Sequence, residues 1–139
     1  GNMLDIDDAT KSCKIIGIDY KAVDISSAYN AILDISSPVI KEKVESVNSV
    51  TTINIAPRVR MTVLYSIGAS LDYLVANTSN LSEFEVGYTT KWGDNVGDFA
   101  PIANFTKSEV CEIGLILGLP EKLVHKTPSD GLSGMSDEQ

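Results

Sequence analysis

Tyr73-Leu74-Val75-Ala76 is a compact apolar run that passes directly into the polar turn Asn77-Thr78-Ser79-Asn80 and then into Leu81-Ser82-Glu83-Phe84-Glu85-Val86. A β-prone run that ends in a polar turn and starts a helix is where open α/β sheets hold ligands, since the turn lies at a strand's carboxyl end and the helix start offers free N–H groups. The stretch therefore predicts a strand over Tyr73–Ala76, a helix over Leu81–Val86 and an α/β fold.

Upstream, Ile55, Val59, Val63, Ile67 and Leu71 lie four apart, with Leu64 on the same side. This is a helical stripe, and Pro57 is tolerated if it falls in the first turn. Pro38 to Val47 reads as a short helix of its own, also with Pro in its first turn. Ser26-Ser27 opens another helical pattern through Leu33, and Ile18 to Ile25 is a short β-prone run containing Tyr20 and Val23. At the start, Ile6, Ala9, Cys13 and Ile16 recur at helical spacing behind Asp5, Asp7 and Asp8, and Gly17 supplies a stop. Alternation of helix and strand is the rhythm of an α/β domain.

Downstream, Gly87 to Asn104 is irregular, with three glycines and Trp92. A loop of this length within a compact domain points to function. Thr106-Lys107-Ser108-Glu109 is a capping box, and the helix behind it carries Val110, Ile113 and Leu117 on one face before Gly118 and Pro120 end it. Glu121 to Lys126 reads as one more short helix, and Thr127 to Gln139 as a polar, mobile tail.

Composition bounds the function. The chain has 139 residues, 43% hydrophobic and 22% charged, with 11 Lys and Arg against 19 Asp and Glu for a net charge of −8. One domain is expected, with neither nucleic acid nor an anionic membrane surface as partner, because such polyanions are held by many spread cations. No apolar stretch of roughly 18 residues and no leader pattern occur, so a cytoplasmic location is expected. Cys13 and Cys111 read as buried thiols, and the single histidine, His125, as a structural one. A zinc site is thereby nearly excluded.

Between Val44 and Glu121 the only cations are Arg58, Arg60, Lys91 and Lys107. Lys91 and Lys107 are candidate binders of phosphate or carboxylate, and Glu83 and Glu85 candidate ligands of Mg2+. For any one of them alone a solvated surface charge is the plainer reading. Lys107 opposes the helix dipole at its position, a local conflict of the kind found at functional sites. Trp92, Tyr65 and Tyr73 read as core or pocket-wall aromatics. No phosphate loop, dinucleotide fingerprint or nucleophile elbow is present.

Six stretches carry a resemblance: Asn54 to Met61 (Asn-Ile-Ala-Pro-Arg58-Val-Arg60-Met), Thr78 to Glu83, Tyr88 to Asp94, Gly97 to Pro101, Thr106 to Val110 and Pro128 to Ser133. In this order and spacing the sequence resembles the ammonia-dependent NAD synthetases, members of the ATP pyrophosphatase group. The resemblance implies a doubly wound, mostly parallel sheet with flanking helices, Rossmann-like and of the adenine nucleotide alpha-hydrolase type. It implies a ligase that makes NAD from deamido-NAD, ATP and ammonia through an adenylylated nicotinate, with Mg2+ as cofactor, in a homodimer whose contact is the helix from Arg58 to Leu71. By position, Thr78, Lys107 and Ser129 resemble ATP contacts, Glu83 the Mg2+ ligand, and Arg58, Lys91 and Asp98 the deamido-NAD contacts, with Asp98 also near the incoming ammonia. Arg60 is expected in a structural ion pair. The catalytic residues are not assigned.

Two departures stand at Ala56-Pro57, where the family often has Lys-Ala, and at Ser79, where Asp often follows the Thr. The family's opening strand and Ser-Gly-Gly-x-Asp-Ser loop do not occur in residues 1–139, which correspond to the central and C-terminal part of the domain. The expectation is that this stretch by itself is inactive. The alternatives are another amide-forming ATP pyrophosphatase and a non-catalytic or truncated nucleotide-binding fragment.

Overall fold

The computed structural model describes residues 3–43 and 52–127, with side chains from residue 5 onward. The chain divides into a terminal unit, Gly1–Val23 with Thr106–Gln139, and a central unit, Asp24–Phe105.

In the terminal unit, α1 spans Met3–Ile16 and carries Asp5 in its first turn. Gly17 follows at φ 71°, and the amide of Ile18 donates to the Cys13 carbonyl at 3.0 Å. The left-handed conformation that closes a helix this way is strained for any residue with a Cβ, which is why Gly stands there. Helix α2, Lys107–Ile116, starts on the expected capping box: the Thr106 side chain accepts from the Glu109 amide, and the Glu109 carboxylate accepts from the Thr106 amide at 2.7 Å. It ends at Gly118, φ 82°, ahead of α3, Glu121–Val124. Gly114 lets α3 approach, since a Cβ there would lie 3.2 Å from Val124 Cγ2. Lys126 Nζ donates to Asp5 Oδ1 at 2.6 Å and to Asp8 Oδ2 at 2.7 Å, tying the chain beyond α3 to α1.

In the central unit, α4 spans Ser26–Lys41. Asp24 organises its start, accepting from the Ser26 amide at 2.9 Å and hydroxyl at 2.6 Å. Pro38 lies inside this helix, which corrects the expected separate helix opening at Pro38. A proline removes one donor and crowds one carbonyl, yet the helix continues past it for three residues, with Glu42 N–H donating to the Pro38 carbonyl at 3.3 Å. Residues 44–47 of that expected helix lie outside the described residues. The expected α5 is present as Ile55–Leu71, with Ala56, Pro57, Val59 and Gly68 buried, and it packs against α4. Asp72 reverses the chain at φ 58°. Gly68 makes room for the return, because a Cβ on it would sit 3.0 Å from the Tyr73 carbonyl oxygen. Helix α6 spans Leu81–Val86.

The two expected strands are not assigned. Ile18–Ile25 has no pairing, and Tyr73–Ala76 is reduced to a single parallel bridge, Ala76 to Phe99. Among the described residues this bridge is the whole of the β pairing. A parallel strand requires neighbours and covered faces. Here Val75 is 8% exposed while Leu74 beside it is 74% exposed, so one face of the segment is covered and the other is not. Thr127 is the last described residue, so the expected mobile tail lies outside the described part.

Candidate active site

The turn after Ala76 is built by the polar residues that the sequence places there. Asn77 and Ser79 are buried, and the Asn77 carboxamide oxygen accepts from the Ser79 amide at 2.7 Å, fixing the turn. Thr78, between them, is exposed. Asn80 then caps α6: its side chain accepts from the Glu83 amide, and Glu83 Oε2 accepts from the Asn80 amide at 2.8 Å. Glu83 therefore spends one carboxylate oxygen on the cap.

The segment is clamped from the other side by Gly97, Asp98 and Phe99. Asp98 N–H donates to the Val75 carbonyl at 2.7 Å and Asn77 N–H to the Phe99 carbonyl at 2.8 Å. The Asp98 side chain extends this ladder, with Oδ2 accepting from Val75 N–H at 2.7 Å and Oδ1 lying 3.4 Å from the Tyr65 hydroxyl that donates to it. Partial burial, and after it the negative charge of Asp98, push the Tyr65 phenol above its ordinary pKa. A side chain at Gly97 is impossible without a shift, since its Cβ would fall within van der Waals overlap of the Asn77 backbone nitrogen and 2.9 Å from Asn77 Cα.

The Thr89–Asp94 loop is closed by Asp94, whose Oδ1 accepts from Thr90 N–H at 2.6 Å and from the Thr89 hydroxyl at 3.2 Å. Thr90 Oγ1 donates to Asn54 Oδ1 at 2.9 Å, pinning the loop to the start of α5. Trp92 adopts φ 62° there and is exposed. This folding brings two of the expected substrate contacts together: Arg58 Nε donates to the Lys91 carbonyl at 3.0 Å, while Lys91 Nζ lies 5.6 Å from the Trp92 ring centre. The terminal guanidinium nitrogens of Arg58 have no partner among the described residues.

Thr78, Glu83, Arg58, Lys91 and Asp98 all belong to the central unit, whereas Lys107 opens α2 in the terminal unit. Ser129 lies outside the described residues. Arg60 is exposed and has no ion pair among the described residues. Cys13 and Cys111 are half-buried free thiols rather than fully buried ones. Sequence reasoning missed Asn77, Asp94 and Asn54 as the residues that hold the loops. The signal for Asn77 was an Asn at the end of an apolar run, a side chain suited to bonding the backbone two residues on.

Among the described residues no three His, Cys, Asp or Glu side chains gather as a metal site. A magnesium ion carried by nucleotide phosphates needs only one or two carboxylates from the protein. Glu83, with one oxygen committed to the cap, fits such a single-carboxylate role. No helix among the described residues is long and apolar enough to cross a membrane.

A polar turn thus follows the bridged segment, and in the same unit Arg58 on α5 is joined by a hydrogen bond to Lys91 on the Thr89–Asp94 loop. A family model described as NAD synthase matches residues 2–139, and the chain belongs to that family. It is 43% identical over 136 residues to an NH(3)-dependent NAD(+) synthetase of Thermococcus sibiricus, covering 97% of this chain and 51% of that protein. To the protein of the same name from Carboxydothermus hydrogenoformans it is 42% identical, covering 99% of this chain and 56% of the relative. The chain thus spans about half the length of these relatives. Among solved structures, an NMN synthetase from Francisella tularensis aligns with TM-score 0.86 and 32% identity over 99% of this chain and 55% of its own. The NH3-dependent NAD synthetase from Campylobacter jejuni, determined with nitrate, aligns with TM-score 0.75 and 32% identity over 91% of this chain and 52% of its own.

Proposed function

We propose that the protein containing this chain is a ligase that forms NAD from deamido-NAD, ATP and ammonia. The observation that carries the reading is the family match over residues 2–139 together with relatives named NH(3)-dependent NAD(+) synthetase. In this reading residues 1–139 are the central and C-terminal part of a doubly wound domain, and the protein is a cytoplasmic homodimer.

A carboxylate resists attack by ammonia until one oxygen becomes part of a good leaving group. The nicotinate carboxylate of deamido-NAD attacks the α-phosphorus of ATP and pyrophosphate departs. Ammonia then attacks the acyl carbon, AMP leaves and a proton is lost, giving the carboxamide. The charge that builds on the phosphates must be met by fixed cations. Lys107, Thr78 and Ser129 are assigned to ATP. Arg58 and Lys91 are assigned to the anionic groups of deamido-NAD, a role supported by the anchored Nε of Arg58, which leaves its outer nitrogens for a ligand. Asp98 orients the loop beside the substrate and carries the ammonia-facing role. Glu83 would hold Mg2+, which supplies charge neutralisation on the phosphates when bound.

A second reading has one observation in its favour, the alignment with an NMN synthetase: the same amidation on nicotinate mononucleotide. The test is a coupled assay on the natural gene product with ATP and ammonium, offering deamido-NAD and nicotinate mononucleotide in parallel. NAD, AMP and pyrophosphate in equal amounts support the first reading. Preferential turnover of the mononucleotide selects the second, and turnover of neither by folded protein overturns both.

A further inference from the structure

The terminal unit holds a cavity of about 390 Å3 that the proposed reaction does not use. Ile15, Pro120 and Leu123 supply its apolar lining, and Lys11, Lys14 and Lys122 its positive charge. Small-molecule sites run from roughly 300 to 1,000 Å3, so the space suits a ligand of modest size. Asp8 also lines the cavity, but its carboxylate is already committed: Oδ2 accepts from Lys126 Nζ at 2.7 Å, and Oδ1 lies 3.7 Å from Lys11 Nζ. Lys14 and Lys122 have no ion-pair or hydrogen-bond partner among the described residues.

Three lysine side chains line one open, largely apolar pocket in a chain whose net charge is −8. Among the described residues the one carboxylate that lines the pocket, that of Asp8, is already shared with Lys126. A bare inorganic ion would leave the apolar lining in contact with water. An anion with an apolar body covers it.

We propose that this cavity binds a small organic anion, with a ring or chain body against Ile15, Pro120 and Leu123 and a phosphate or carboxylate held by Lys11, Lys14 and Lys122. The proposal is independent of the NAD-forming reading, and its test does not use catalysis. In the natural gene product, the lysines are labelled by reductive methylation, which preserves their charge, and labelling is read residue by residue by mass spectrometry. Phenyl phosphate, benzoate and inorganic phosphate are compared at equal ionic strength. Phenyl phosphate or benzoate is expected to slow labelling at Lys11, Lys14 and Lys122 while leaving Lys41 unchanged, and the stronger protector identifies the head group. In the Lys14→Gln/Lys122→Gln variant, protection at Lys11 should need roughly tenfold more ligand, as expected when two charge-assisted contacts are lost. Absence of protection by either organic anion overturns the proposal, as does equal protection by inorganic phosphate or equal protection of Lys41. Should the variant fail to fold, the wild-type labelling pattern decides by itself.

Discussion

The two units are held together by different physics. In the central unit Ala56, Pro57, Val59, Gly68, Val75, Asn77, Ser79 and Gly93 are buried, whereas no described residue of the terminal unit is. The central unit depends on backbone passing close to backbone, at Gly97 on Asn77 and Gly68 on Tyr73, and on side chains such as Asp98 that stand in for main-chain acceptors. The terminal unit depends on helix caps, glycine stops and an exposed ion-pair cluster around Lys126. The difference teaches where precision lies: five of the assigned ligand positions sit in the tightly constrained unit.

The contrast is most open to breaking at the glycines. Gly97→Ala should cost about 3 kcal/mol, as a side chain is forced against fixed backbone, measured by urea unfolding. Asp98→Ala should cost about 2 kcal/mol through the orphaned Val75 N–H. Asp98→Asn should recover part of that stability, because an amide oxygen can still accept, yet in the coupled assay it should lose activity if the carboxylate's charge serves the substrate. Gly118→Ala should cost only about 1 to 2 kcal/mol, for left-handed backbone strain alone, since nothing lies within 4 Å of its missing Cβ. A Gly118 cost matching that of Gly97 would erase the distinction between the units.

The capping boxes supply a matched pair. Asn80→Ala in the central unit and Thr106→Ala in the terminal unit should each cost about 1 kcal/mol, because the motif is local and indifferent to its surroundings. The smallest effect concerns pH. The hydrogen bond from Lys126 holds the Asp8 carboxyl below its ordinary pKa, and the Thr106 amide and hydroxyl do the same for Glu109. A lowered pKa contributes stability above the ordinary carboxylate range, about 4, and loses it as pH falls through the lowered value. Lys126, raised by the hydrogen bonds it donates to Asp5 and Asp8, contributes below its ordinary pKa near 10, and that contribution is lost as pH climbs through the raised value. Asp8→Asn should flatten the acid limb of a thermal-melting series, and molar salt should shrink the difference by screening.

Much of this was legible in the sequence wherever a few consecutive residues settle the matter. Gly17 and Gly118 end helices, Thr106 with Glu109 starts one, and the stripe from Ile55 to Leu71 is one helix. What escaped involved partners distant in sequence. For Asp98, read as a ligand contact, the bond that its side chain also accepts from the Val75 amide was not foreseen. Pro38 was read as a helix start because a proline is at ease there, yet α4 runs through it.

By itself, then, the sequence determined most of the helices, their glycine stops and the family, since capping, periodicity and motif spacing are properties of neighbouring residues. Only the tertiary structure decided that Arg58 meets the Lys91 carbonyl, that Asp98 completes the edge of Val75, and that Tyr73–Ala76 keeps a single parallel bridge. A helix closes its hydrogen bonds within itself, whereas a strand and a binding loop are defined by groups that the chain brings back from far away.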